Sequence, residues 1–153
     1  MATVPETHLD AWRGVLNAHS TVVVAAERAL AAAALPPLSW YDVLWAVRRA
    51  PGGRLRLGSL ADHLTISRGG LSKLVDRLED AGMLRRERRS DDGHGLDAVI
   101  MPDGKKLLRR MWPVYASVLE ETVVAALSER EATVMSAALA RVAETAAERR
   151  RAQ

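Results

Sequence analysis

The sequence contains no cysteine, which excludes disulfides, thiolate metal sites and thiol-based redox sensing and fits a reducing compartment. It also lacks an apolar run long enough to cross a bilayer: the least polar stretch, residues 21–38, is interrupted by Glu27 and Arg28 and ends in Pro36-Pro37. No secretory leader pattern is visible, so the expected location is the cytoplasm, with no membrane partner. There is no internal repeat, no H-E-x-x-H helix, no phosphate-cradling glycine loop and no nucleophile elbow, and the chain is expected not to be an enzyme and to need no cofactor. Asp91, Asp92 and His94 come nearest to a metal-ligand set. Their spacing on a glycine-rich stretch is that of a turn, and His8, His19 and His63 are scattered, so no metal is expected.

What is present is an ordinary globular composition: 153 residues, 48% hydrophobic and 27% charged, enough for one domain with its own core. The net charge of +3 is unevenly spread. Residues 1–53 are neutral and residues 111–153 carry −1, whereas residues 54–110 carry +4. A basic patch between neutral flanks suits a phosphate-binding module on a non-contacting scaffold, and equally a solvated charged surface.

Apolar residues at Leu9, Trp12, Val15, Leu16, Val22, Val23, Ala26 and Leu30 are spaced for one face of a long helix over residues 9–34, stopped by Pro36-Pro37. Ser39 is the expected N-cap of a second helix through Trp40, Leu44 and Val47, which Pro51-Gly52-Gly53 ends. Leu55 and Leu57 alternate with arginines as in a short strand, and Ser59 looks like the cap of a helix of barely two turns. Ser67 is placed to cap a further helix to Ala81, with Gly82 as its left-handed terminator. Residues 83–89 and 96–101 read as a β-hairpin around a turn-rich tip, closed by Pro102-Asp103-Gly104. Helical spacing returns over residues 105–126, with Pro113 expected to kink it, and Ser128 with Glu131 forms a capping box before the last helix.

On the helix after Ser67, Leu71, Leu74, Val75 and Leu78 share one face, and Gly69, Ser72, Lys73 and Asp76 occupy the other. Two adjacent glycines cost about 1 kcal/mol each against alanine, which is odd for a purely structural surface helix. Small and basic groups on an outer face suit insertion into a major groove, where Lys73 or Arg68 reaches a guanine edge or a phosphate. Short helix, turn, amphipathic helix and basic hairpin together make a winged helix-turn-helix.

The run Leu60-Ala-Asp-His-Leu64, Ser67-Arg-Gly-Gly-Leu-Ser-Lys-Leu-Val-Asp-Arg-Leu-Glu79, Gly82-Met-Leu-Arg-Arg86, Asp91-Asp92 and Asp103-Gly104 resembles the MarR family of bacterial transcriptional regulators. The resemblance implies a mainly α (α+β) fold of one 1–153 domain, with dimerisation helices at about 8–34 and 104–150. The winged helix-turn-helix would span 39–103, with its recognition helix at 67–81 and its wing at 83–101. It implies a homodimer on a pseudo-palindromic double-stranded operator, acting as a repressor. By position, Ser59, Ser67, Arg68, Gly69, Gly70, Ser72 and Lys73 would meet bases and phosphates, and Arg77 would brace the helix and the DNA backbone. Lys73 stands where arginine is more usual, exchanging a bidentate fork for a point charge. The family's minor-groove arginine after the paired aspartates is missing from Asp91-Asp92-Gly93-His94-Gly95, leaving Arg86, Arg88, Arg89 and His94 as the wing's candidate contacts.

Many relatives respond to small aromatic or phenolic effectors, and Trp12, Trp40, Asp42, Trp45 and Arg49 are similar to the ligand set of a urate-responsive subset; packing and pairing would also explain them. Two other functions stay open: a protein-binding winged helix, and a ligand-sequestering dimer without a specific operator. Nineteen arginines against three lysines fit a GC-rich bacterial genome.

Overall fold

A computed structural model describes residues 3–64, 68–88 and 95–152. The chain divides into two compact units, Met1–Ala116 and Ser117–Gln153. The order of elements is α1 (Glu6–Ala32), α2 (Leu38–Arg49), a 3-10 turn (Pro51–Gly53), β1 (Arg54–Arg56), α3 (Leu57–His63), α4 (Arg68–Asp80), β2 (Leu84–Arg88), β3 (Leu96–Ile100), α5 (Pro102–Leu119), a π turn (Glu120–Val124) and α6 (Glu129–Arg151). The fold is mainly helical with one small antiparallel sheet.

The first helix starts one turn earlier than its apolar spacing suggests, because Pro5 fixes an extended entry and Arg13 ties down the first turns through Glu6 at 3.0 Å and Asp10 at 3.1 Å. It ends before the prolines. Ala34 takes a left-handed φ of 53°, and the Leu35 amide donates back to the Leu30 carbonyl at 2.9 Å. Leu35, preceding Pro36, is already disfavoured from continuing the helix.

Ser39 is not the cap of α2. That helix begins at Leu38 with Pro37 in the cap position, and the Glu27 carboxylate of α1 accepts the Leu38 N–H at 3.0 Å. A partner eleven residues away does the work that local spacing assigned to Ser39. Ser59 is likewise inside α3, whose cap position is Arg56 with no side-chain hydrogen bond. Pro102 opens α5 rather than closing the hairpin, in keeping with proline's preference for a first helical turn.

The sheet has the order β1-β3-β2, with Leu55 opposite Ala98 and Arg86 opposite Ala98 on the other side. Side chains alternate between its faces. Leu84, Ala98 and Ile100 point into the core of the first unit, where they join Leu30, Val43, Leu44, Val47, Leu60, Leu78, Leu108 and Met111, all essentially buried. On the opposite face Arg54 pairs with Glu87 and lies 3.8 Å from Asp97, and Arg85 also pairs with Glu87.

Two glycines hold the recognition-like segment to the sheet. Gly82, at φ 72°, donates to the Glu79 carbonyl at 2.9 Å while the Met83 amide reaches the Leu78 carbonyl at 2.9 Å, closing α4 as the sequence suggests. A side chain at Gly104 would collide with the Met83 carbonyl oxygen, which accepts the Met101 amide at 3.0 Å. That contact locks the start of α5 against the strand β2 entry.

In the second unit the capping box is complete: the Ser128 hydroxyl accepts from the Glu131 amide at 3.3 Å, and the Glu131 carboxylate accepts the Ser128 amide at 2.9 Å. The helical spacing expected over residues 105–126 runs through Pro113 to Leu119 and then widens into the π turn. Among the described residues no helix is long and apolar enough to cross a membrane.

Candidate nucleic-acid interface and aromatic cavity

The two faces of α4 are separated by burial. Leu71, Leu74, Val75 and Leu78 are buried, whereas Gly69, Ser72, Lys73, Asp76 and Arg77 are exposed. Gly70 is half-buried, and Ser59 of α3 is half-buried. A Cβ at Gly69 would meet nothing within 4 Å among the described residues, so none of these demands glycine there by packing. Arg88 is exposed at the end of β2. Ser67, Arg89 and His94 lie outside the described residues, as do Asp91 and Asp92, and of Arg68 only the backbone is described.

Arg86 takes a different place from the one its motif suggests. Strand alternation puts it on the sheet face that carries Leu84, turned toward α4 rather than away from the core. Its guanidinium donates to Glu79 and, at 2.5 Å, to Asp76, and its backbone N–H donates to the second Glu79 oxygen at 2.8 Å. The Arg86 backbone amide, offset in part by desolvation and reinforced by the guanidinium, holds the Glu79 carboxyl below the usual range. Desolvation opposes the charge on Arg86, yet Asp76 and Glu79 outweigh it and raise its pKa.

A second feature lies between α2 and α5 within the first unit. Tyr41, Trp45, Arg48, Leu108, Arg109 and Trp112 line a cavity of about 440 Å³. The Tyr41 ring stacks on Trp45 at 6.0 Å and on Trp112 at 6.3 Å, and meets Tyr115 edge-on at 5.4 Å. Trp45 and Trp112 are nevertheless 42% and 49% exposed, so stacking surface remains uncovered. Burial raises the pKa of both tyrosines, keeping them neutral donors.

Of the five ligand candidates, Trp45 alone lines this cavity. Arg49 lies over the Trp45 ring at 6.0 Å, and its neighbour Arg48 faces the space. Asp42 is half-buried toward α1, where burial first, then the Glu27 charge, raise its pKa while His19 lowers it. Trp40 is half-buried, and Trp12 is exposed fifteen residues before Glu27 on α1, about 22 Å along the helix. Sequence reasoning missed Tyr41, Arg48, Arg109, Trp112 and Tyr115. The i, i+4 pair Tyr41–Trp45 and the i, i+3 series Arg109, Trp112, Tyr115 carried the signal, but nothing local joins α2 to α5.

The fold and the exposed face of α4 define a winged helix-turn-helix protein. Residues 35–94 match the MarR family. AbsC, a MarR family transcriptional regulator from Streptomyces coelicolor, is 26% identical, with a TM-score of 0.81 over 97% of this chain and 99% of that one. Sco3205, a MarR family regulator from the same organism solved in complex with DNA, is 28% identical, with a TM-score of 0.81 over 95% of this chain and 91% of that one. The organohalide-sensing regulator RdhR-CbdbA1625, solved with 2,4-dichlorophenol bound, shares the fold at 17% identity and a TM-score of 0.72, over 94% of this chain and 82% of that one. A comparison with curated proteins finds no match. MarR family transcriptional regulators are non-enzymatic.

Proposed function

We propose that this protein is a homodimeric, sequence-specific transcriptional regulator that binds a pseudo-palindromic double-stranded operator and represses by occluding a promoter. The observation that carries the reading is the outer face of α4: Gly69, Ser72 and Lys73 are exposed together, and no contact among the described residues requires the glycine. Glycine and serine permit close approach of the backbone to base edges, and Lys73 supplies a groove-facing cation. Arg68 and Gly70 belong to the same first turn of α4, and Ser67, which precedes Arg68 in sequence, is a further proposed contact. Ser59, Arg77 and Arg88 are proposed phosphate contacts, and Arg89 and His94 are carried as further proposed contacts by their sequence position alone.

Homodimerisation is supported by apolar residues that a folded monomer leaves in water. On α1 these are Trp12 and Leu16, and on α6 Val134, Met135 and Val142. Each set recurs at helical spacing, and a second copy of this chain is the occupant that buries it while pairing two α4 helices about 34 Å apart, one turn of DNA. The proposed dimerisation segments are about 8–34 and 104–150.

We further propose a small aromatic or phenolic effector, seated in the cavity of Tyr41, Trp45, Arg48, Arg109 and Trp112, with stacking on the indoles and an anionic group met by an arginine. Effector that prefers another spacing of the two lobes would weaken operator binding by population shift. The test is selection of genomic fragments with purified protein. A palindromic site whose preference is lost in Lys73→Ala supports the reading, and enrichment without a shared sequence overturns it. Aromatic carboxylates and phenols titrated against tryptophan fluorescence, with Trp112→Ala as control, test the effector.

A further inference from the structure

We infer that Arg86 is a positioning residue: it clasps the recognition helix to the wing strand through Asp76 and Glu79, and it discriminates sequence without touching DNA. The inference rests on the proposed operator binding and reassigns Arg86, the wing-strand residue whose guanidinium meets two carboxylates of α4.

The geometry is specific. Glu79 and Asp76 are three residues apart on α4, so their carboxylates lie side by side on adjacent turns. The planar fork of Arg86 addresses one with each terminal nitrogen, and its backbone amide takes the remaining Glu79 oxygen. A lysine has a single point of charge and cannot span both. The side chain of Arg86 is 22% exposed, and that of Asp76 is 56% exposed on the same outer face as Ser72 and Lys73. The guanidinium therefore reaches from the sheet around to the edge of the surface that would face a groove.

Two consequences follow from elementary electrostatics. Three hydrogen bonds between one strand residue and two helix residues restrain rotation of α4 about its own axis, the motion that would misalign Gly69, Ser72 and Lys73 with base edges. The same contacts offset one of two carboxylate charges, leaving the cluster at −1 rather than −2 toward nearby phosphates. A guanidinium already satisfied by two carboxylates has little left for a phosphate oxygen, so the wing's backbone contacts fall to Arg88 and its neighbours.

The test compares wild type, Arg86→Ala, Arg86→Lys and the triple variant Asp76→Asn/Glu79→Gln/Arg86→Ala, each titrated with the selected operator and a scrambled duplex over a range of salt. The expected result for Arg86→Ala is a fall of about tenfold in the operator-to-scrambled ratio with the wild-type salt slope retained. Arg86→Lys should not restore the ratio. The triple variant should recover affinity for both duplexes, as the bare carboxylates are gone, while its ratio stays low. A salt slope reduced by about one in Arg86→Ala, with the ratio unchanged, would identify a phosphate contact and overturn the clasp. An unchanged ratio and slope would overturn it as well. Hydrogen exchange without DNA separates this from the operator reading: the clasp requires faster exchange at the Arg86 amide and the last turn of α4 in Arg86→Ala, whether or not wild type prefers any sequence. Unchanged exchange there contradicts the clasp.

Discussion

The carboxylate of Glu27 accepts the backbone N–H of Leu38 at 3.0 Å, so the second helix is capped by the first across the Pro36-Pro37 turn. The bond replaces the local cap that α2 lacks. Glu27→Ala should cost about 1 kcal/mol of stability, Glu27→Gln less because the amide oxygen still accepts, and Ser39→Ala almost nothing. Denaturant unfolding of the three variants checks the order.

Glu27 also bears on Asp42, whose pKa is raised by burial and then by that neighbouring charge. Folding favours protonated Asp42, so this contribution is complete below the ordinary carboxylate range and is lost as pH rises through the raised folded value. Asp42→Asn should raise the melting temperature at neutral pH and flatten its decline between mildly acidic and neutral conditions. Glu79 has the opposite sign: held low by the Arg86 amide, it contributes stability above the ordinary range and loses it as pH falls through its lowered folded value. Thermal melts from acidic to neutral pH, with Glu79→Gln alongside, distinguish the two slopes.

Glycine substitutions should separate folding from binding. Gly104→Ala should destabilise by about 1–3 kcal/mol or more, because the added methyl collides with the backbone oxygen of Met83, which is fixed by its own hydrogen bond. Gly69→Ala adds a methyl on the exposed face that meets no described residue, and it should stabilise by up to about 1 kcal/mol while weakening operator affinity. Ala34→Gly, at φ 53°, should stabilise by about 1 kcal/mol. Melting temperatures and operator titrations on the same preparations show whether the two properties move apart.

Placing charge on the exposed apolar stripe of α6 should break the dimer without unfolding the chain. Val134→Glu with Met135→Glu is expected to shift the mass measured by light scattering from two chains to one, with helical circular dichroism retained. A wild-type protein that is monomeric at micromolar concentration would contradict the dimer.

The sequence was most informative where a rule is local. The amphipathic α4, the left-handed Gly82 and the capping box of Ser128 with Glu131 each depend on residues within five positions and were legible, as were the hairpin strands, whose partners lie only 8 to 16 positions apart. The caps of α2 and α3 were not, since Glu27 lies eleven residues from Leu38 and α3 uses no side-chain cap at all. The place of Arg86 was hidden for a similar reason. Alternation along β2 puts it on the face of Leu84, but choosing carboxylates over phosphates required the position of α4. The aromatic cavity joins residues as far as 71 positions apart, Tyr41 and Trp112, and the ligand set taken from resemblance divided between the two sides of α2.

The most direct test of the central claim is the affinity ratio between the selected duplex and a scrambled one at about 150 mM salt, measured for wild type and Lys73→Ala. The account predicts a ratio of about 10³ or more for wild type, reduced by about tenfold to a hundredfold in the variant with its melting temperature unchanged. A wild-type ratio near one, or a Lys73→Ala ratio equal to wild type, would contradict sequence reading by α4.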